Sequence, residues 1–88
     1  MSFITLHELY QRYPIVGSPY EGLIAVGIEK GRFFHVHEKD GEPAYEERFD
    51  WVERFENGLA LVEKGGKTFF IHPNGTRAKR VDNNKTNF

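Results

Sequence analysis

The chain has 88 residues with 12 basic side chains, 13 acidic side chains and no cysteine. The missing cysteine excludes disulfides, thiolate metal ligands and a cysteine nucleophile, and the formal net charge of −1 excludes a general field that would attract nucleic acid or an anionic membrane. We expect one small domain at residues 1–81, with a core built largely from aromatic rings and a flexible polar tail at residues 82–88.

A short helix is predicted at residues 5–13. Thr5 and Glu8 form a capping-box pattern at its start, and Pro14 disfavours its continuation. The apolar stripe has spacings of three and four residues and consists of Leu6, Leu9, Tyr10 and Tyr13. The first ten residues show no signal-peptide pattern, and no stretch approaches the roughly 20 apolar residues of a membrane span, so a cytoplasmic location is expected.

From Gly22 the apolar period changes to two, which is typical of strands. The segments 23–28 and 32–37 are separated by a short loop containing Gly31, which predicts an antiparallel hairpin. Asp40-Gly41 marks the next reversal of the chain.

Residues 45–55 fit two interpretations. The spacing of Tyr45, Phe49, Val52 and Phe55 fits a helical stripe, whereas an extended segment with a kink suits the hairpin that follows. We favour the extended interpretation. That hairpin comprises residues 58–62 and 67–72 around Gly65-Gly66, and Asn74-Gly75 forms a tight turn before a last strand at 76–81.

The two hairpins resemble each other in sequence. At a constant offset of 35, Ala25 aligns with Ala60, Phe34 with Phe69 and His37 with His72, and a one-residue shift upstream aligns Gly22-Leu23 with Gly58-Leu59. Such a spacing indicates repeat units, here at about 20–41 and 42–76, although chance similarity between two hairpins would give the same pattern.

The second unit resembles the WG-repeat (beta-repeat) domains of bacterial proteins. The matching residues are Gly41, Phe49-Asp50, Val52, Phe55, Asn57-Gly58-Leu59-Ala60-Leu61-Val62, Gly66-Lys67, Phe70-Ile71 and Asn74-Gly75. The likeness is clearest over residues 41–76 and looser over 20–41. Thr68-Phe69 stands where the family has its aromatic-glycine pair. The resemblance implies a structural or protein-binding module and supplies no catalytic residues.

Together these patterns predict a β-dominated fold, all-β or α+β, in which antiparallel hairpins in two repeat-related units are covered on one side by a short N-terminal helix. The predicted core residues are Phe34, Val36, Trp51, Leu59, Leu61, Phe69 and Ile71.

Three histidines form the most suggestive chemical constellation. His35 and His37 project from one face of a strand, and His72 aligns with His37, so three imidazoles are candidate zinc ligands. The competing interpretation, which we favour, is that they are exposed on the polar face of a hairpin. We therefore expect no metal and no cofactor.

Two enzymatic interpretations fail on the sequence. Residues 64–68 resemble the end of a phosphate-binding loop, but Leu61 occupies the place of the required first glycine and a strand follows where a helix is needed. The carboxylates of residues 46–56 lack a paired-acid pattern or an evident cleft. We expect no enzymatic activity.

The aromatic excess instead favours a small protein-interaction or inhibitor module whose partner is another protein, with self-association through open strand edges. The candidate partner-binding residues are Tyr20, Phe33, Trp51, Phe70, Arg77, Lys79 and Arg80. The alternative is a single-stranded nucleic-acid-binding β-domain that uses Lys30, Arg32, Phe33, Lys67, Phe70, Arg77, Lys79 and Arg80.

Overall fold

The computed structural model describes residues 4–79. Its elements are α1 (Leu6–Arg12), β1 (Ile15–Tyr20), β2 (Leu23–Gly27), β3 (Phe33–His37), β4 (Trp51–Val52), β5 (Ala60–Lys64) and β6 (Lys67–Ile71). Strands β1, β2 and β3 form a first antiparallel sheet in that order, and β4, β5 and β6 form a second. The predicted β-dominated fold with one short helix is confirmed. No helix among residues 4–79 is long and apolar enough to cross a membrane.

The two sheets are built in the same way. In each, the first hairpin turns through two residues of positive φ, Glu21-Gly22 in the first sheet and Asn57-Gly58 in the second. Positive φ at both central positions gives a turn whose twist matches that of the flanking strands. The pairs Val16↔Val26 and Val52↔Val62 then occupy corresponding positions in the two ladders.

The structure corrects the place at which the repeat offset changes, which the sequence alignment put upstream of Ala25. Phe34 pairs with Val26 and Phe69 pairs with Val62, so β3 and β6 correspond at an offset of 35 but β2 and β5 at 36. Ala60 therefore corresponds to Ile24 rather than to Ala25. The additional residue lies between β2 and β3, where five residues separate the pair Gly27↔Phe33, whereas four separate the corresponding pair Glu63↔Thr68. The longer connection closes with an Arg32 N–H to Glu29 oxygen bond of 2.9 Å.

Strand β1 was not predicted, and it extends the first unit upstream to Ile15. Gly17 and Pro19 weaken its strand signal, but both suit an edge strand with an irregular register between Val16 and Pro19. Beyond β6, the chain makes only a bridge between Ile71 and Arg77, and residues 80 and 81 of the predicted last strand lie outside the described residues, as does the predicted tail.

The structure confirms part of the predicted set of core residues. Phe34, Val36 and Ile71 are buried, whereas Leu59 and Phe69 are only partly buried. Trp51 and Leu61 were predicted wrongly, since their side chains are 48% and 36% exposed. In β5 the side chains that face the core are those of Ala60 and Val62, and strand alternation turns Leu61 outward. The buried hydrophobic side chains not in the predicted set are those of Leu9, Leu23, Ile24, Val26, Tyr45, Phe49, Val52, Phe55, Ala60 and Val62.

Helix α1 covers the first sheet much as the linker between β3 and β4 covers the second. The Tyr13 ring meets Phe34 edge-on at a centroid distance of 5.6 Å, and the Phe49 ring meets Phe69 in the same way at 6.0 Å. The helix is also anchored to the turn after β3, where the Tyr13 hydroxyl donates to the Gly41 carbonyl at 3.2 Å. A helix on the first sheet and a non-helical linker on the second therefore occupy equivalent positions.

Replacement of Thr5 by Ala is expected to lower the free energy of unfolding by about 1 kcal/mol. The Thr5 hydroxyl accepts from the Glu8 N–H at 3.1 Å, and the Glu8 carboxylate accepts from the Thr5 N–H at 2.9 Å, so the substitution breaks the capping box. Urea unfolding measures the loss. Thr5→Asp is the matched control because aspartate also caps a helix, and equal losses in the two variants would contradict the assignment.

Candidate functional site

His35 lies at the junction of the two units and has no solvent exposure. Its Nε2 lies 2.8 Å from the Glu53 carbonyl oxygen, and its Nδ1 lies 2.7 Å from the Tyr45 hydroxyl. A carbonyl only accepts, so Nε2 carries the proton and donates, while Nδ1 accepts from Tyr45. The Phe55 ring closes the site edge-on at 4.5 Å.

Burial sets the protonation of this junction. It lowers the pKa of His35 to about 4 because a charged imidazole would lose its hydration, and the bond to the Glu53 carbonyl opposes this only in part. Burial likewise raises the pKa of the Tyr45 hydroxyl. Both groups are therefore neutral near pH 7, and His35 acts as a structural tie between the units.

The three histidines that were candidate zinc ligands lie in three different environments. His35 is buried, His37 is half-buried and His72 is exposed, so the expectation that all three lie on an exposed polar face was wrong for His35. No cluster of three potential ligands able to hold a metal ion occurs among residues 4–79.

An open apolar groove of about 290 Å³ lies between the first sheet and the chain segment that begins the second unit. Gly17 and Ala25 form part of its floor, and their small side chains leave the sheet surface accessible. The groove is also lined by Ile15, Tyr20, Phe33, Trp51, Glu53 and Arg54. We call this site the groove.

Aromatic contacts fix the walls of the groove. The Trp51 ring lies 5.0 Å from the Phe33 ring, and its indole N–H donates to the Glu53 carboxylate. On another wall, the Arg54 guanidinium lies 4.4 Å from the centroid of the Tyr20 ring and donates to its hydroxyl at 3.1 Å. These contacts hold the rings in place while Trp51, Tyr20 and Ile15 stay 40% to 48% exposed.

Three of the predicted partner-binding residues meet in this groove, namely Tyr20, Phe33 and Trp51. Ile15 belongs with them but was missed because β1 was missed. Phe70 is 50% exposed but lies on β6, away from the groove lining, and Arg77 stacks over Phe69 at 4.4 Å. Lys79 is exposed and also outside the lining, and Arg80 lies outside the described residues.

The residues of the nucleic-acid alternative are spread over different surfaces. In β6, Lys67 and Phe70 point to opposite faces because their positions differ by an odd number of residues. Arg32 pairs with Glu29 at 3.9 Å, and Phe33 faces the groove. The structure therefore does not assemble one basic aromatic surface from those of these residues that lie within 4–79.

The tips of the two first hairpins are joined by one carboxylate. Glu21 accepts hydrogen bonds from the backbone N–H groups of Asn57 and Gly58 at 2.6 and 2.9 Å. Asp50, at the end of the linker, accepts in the same way from the Gly65 N–H at 2.9 Å. The Glu21 bonds hold the second unit on the first, which keeps the groove walls in place, whereas the Asp50 bond lies within the second unit.

Residues 39–67 match a family model described as the WG containing repeat. This segment of the chain is similar to the WG containing repeat. The matched segment begins at the turn after β3 and includes the linker, β4, β5 and the loop to β6. This confirms the resemblance drawn from the motif residues. No curated protein and no solved structure matches the chain.

The WG match ends at Lys67, directly before Thr68-Phe69. Phe69, which stands in place of the glycine of the family's aromatic-glycine pair, packs its ring against Phe49 and beneath Arg77. Phe34 occupies the corresponding position of the first unit and is buried between Tyr13 and the guanidinium of Arg48, which lies 3.7 Å from its ring centroid. A ring fills the space at this position in both units.

Proposed function

We propose that this WG-repeat chain is a small, non-enzymatic protein-interaction or inhibitor module that binds its partner through the groove. The observation that carries the proposal is a rigidly held apolar groove flanked by exposed rings on a small domain. Exposed apolar surface bounded by polar side chains marks interaction sites, and tryptophan and tyrosine are enriched among the residues that dominate binding energy.

The dimensions of the groove favour a polypeptide over a small-molecule substrate. Its volume of about 290 Å³ lies at the lower limit for drug-sized ligand pockets, and it is open to solvent. One or two apolar side chains of a partner fit such a space.

The distribution of titratable groups supports a non-catalytic role. Catalytic acids and bases have shifted pKa values inside a cleft that substrate can reach. The two large pKa shifts among residues 4–79 belong to His35 and Tyr45, which bond to each other in the interior. Neither side chain lines the groove.

Replacement of Ile15 by Asp is expected to weaken partner binding at least tenfold, because a carboxylate would be desolvated in an apolar contact. The measurement is affinity capture from extracts with wild-type and variant bait, followed by titration of the captured partner. Lys67→Asp, a charge change on an exposed residue outside the groove, is the control. A partner that binds wild type and Ile15→Asp equally well would refute the groove as the contact surface.

A further inference from the structure

The second sheet has an exposed apolar face on the side opposite its core. Val62 and Phe69 face the core, so strand alternation turns their neighbours Leu61 and Phe70 outward as a directly opposed pair. Trp51 and Thr68 lie on the same side, each opposite Glu63, and Glu53 follows Trp51 and bonds to its indole. We call these residues the outer face: Trp51, Glu53, Leu61, Glu63, Thr68 and Phe70.

The corresponding face of the first sheet is covered by polypeptide. There, the opposed pair Ala25 and His35 occupies the position of Leu61 and Phe70. The opposed pair Gly27 and Phe33 occupies the position of Glu63 and Thr68. An extended segment of the second unit lies on this face, with the Glu53 carbonyl bonded to His35 and the Trp51 ring against Phe33. Within this molecule, such a face is therefore covered by an extended chain segment that carries large apolar side chains.

Charge distinguishes the outer face from its counterpart. Gly17 and Gly27 of the first sheet correspond to Glu53 and Glu63 of the second. A Cβ at Gly27 would lie 2.5 Å from the Phe33 ring, against which Trp51 of the covering segment packs, so a side chain there would displace this ring. On the outer face, glutamates stand at both of the corresponding positions. The outer face combines a central apolar pair with carboxylates alone, since it includes no basic residue.

We propose that the outer face binds an extended segment of another protein that places an apolar side chain on Leu61 and Phe70 and a lysine or arginine against Glu53 and Glu63. The apolar pair, 36% and 50% exposed, supplies the buried area, and the carboxylates select basic neighbours over acidic ones. The proposal rests on the proposed function in that the chain is a binding module. The outer face shares Trp51 and Glu53 with the groove, whereas Leu61, Glu63 and Phe70 lie outside the groove lining.

Selection from a displayed library of random short peptides tests this recognition chemistry. We expect the enriched peptides to carry lysine or arginine next to an apolar residue and to weaken as ionic strength rises. Binding of a synthetic copy should fall at least tenfold with Phe70→Ser and with Glu63→Lys. Lys67→Glu, whose side chain points to the opposite side of the same sheet, is the matched control and should bind as wild type does.

Three outcomes would overturn the proposal: no enriched peptide, enriched peptides without basic residues, or peptides that bind Phe70→Ser as tightly as wild type. Sedimentation tests the alternative occupant, a second copy of this chain. A dimer that Phe70→Ser dissociates would assign the face to self-association and would also refute the proposal. Circular dichroism of each variant checks that its fold is retained.

The groove variant separates this proposal from the proposed function. Peptides that lose affinity for Ile15→Asp but not for Phe70→Ser would support the groove and refute the outer face. Loss of affinity only in Phe70→Ser and Glu63→Lys would support the outer face. Failure of the groove assignment would then leave this proposal standing. Ile15 belongs to the first sheet and not to the outer face, so the two sets of variants are independent.

Discussion

Acidification from pH 7 to pH 4 is expected to lower the free energy of unfolding by about 3 kcal/mol through His35 alone. The pKa of His35 falls from 6.5 to about 4 on folding because the ring is buried. As the pH drops below 6.5, the unfolded chain takes up a proton that the folded chain does not bind. The stabilisation is therefore complete above pH 6.5 and is lost progressively down to about pH 4.

The groups that face His35 explain the size of this effect. They are the Tyr45 hydroxyl, the Glu53 carbonyl and the Phe55 ring, and none of them carries a negative charge that would stabilise an imidazolium. Protonation at Nδ1 would also abolish its role as acceptor for Tyr45. The charged form is thus penalised by lost hydration and by a lost hydrogen bond.

Urea unfolding between pH 7 and pH 4 measures the effect in wild type and in His35→Gln, whose amide donates and accepts but does not titrate in this range. We expect the variant to show a shallower loss of stability over this interval, because the contribution of His35 is absent. Identical slopes in wild type and His35→Gln would show that His35 is not the source.

Replacement of Gly75 by Ala is expected to cost about 3 to 5 kcal/mol, which is a large part of the roughly 4 to 13 kcal/mol expected for a domain of this length. Gly75 has a φ of 87°, where a side chain costs about 1 to 2 kcal/mol. A Cβ there would also lie 2.6 Å from the Tyr45 Cβ and 2.7 Å from a Glu47 oxygen. The turn and the linker would have to separate to admit the methyl group.

Gly58→Ala is the matched control for this prediction. Gly58 has a nearly identical φ of 83°, but a Cβ there meets nothing within 4 Å. It should therefore show only the conformational cost, and the difference between the two variants in a urea titration isolates the cost of the clash. Equal losses in the two variants would mean that the turn after β6 does not pack against Tyr45 as described.

Local sequence patterns predicted the hairpins and their turns, because the conformation of a turn depends on residues that are neighbours in sequence. Positive φ at Gly31, Gly41, Gly66 and Gly75 follows from the turn chemistry that the sequence displays. Strand β1 escaped prediction because Gly17, Ser18 and Pro19 have poor strand propensity, and it is held by its ladder with β2 instead. A local pattern contains no information about that partner.

The inward face of β5 also depended on distant residues. Leu61 is larger than Ala60, which favours Leu61 as the core residue when the strand is considered alone. The rings of Tyr45 and Phe49 come from the linker and fill the core, so the smaller Ala60 and Val62 face it. The same argument explains Trp51, which the prediction placed in the core because of its size.

The candidate site was predicted in part. Tyr20 and Phe33 were chosen as aromatic residues left outside the expected core, whereas Trp51 was named both as a core residue and as a partner-binding residue. The structure brings all three to one groove. The burial of His35 had no local signal, since its partners Tyr45 and Glu53 lie 10 and 18 residues away. The outer face likewise requires the true register, because an offset of 35 in β5 would have aligned Leu61 with Val26 instead of Ala25.

The unequal β2–β3 and β5–β6 loops have a practical consequence for protein engineering. The first loop accommodates one more residue than the second while the ladders on either side keep the same register. Insertions at residues 29–31 should therefore be absorbed locally, which makes this loop a suitable place for an epitope tag, a fluorophore attachment site or new chain termini. The same insertion at the tip joining β1 to β2 would displace Glu21 from Asn57 and disturb the stacking of the two sheets.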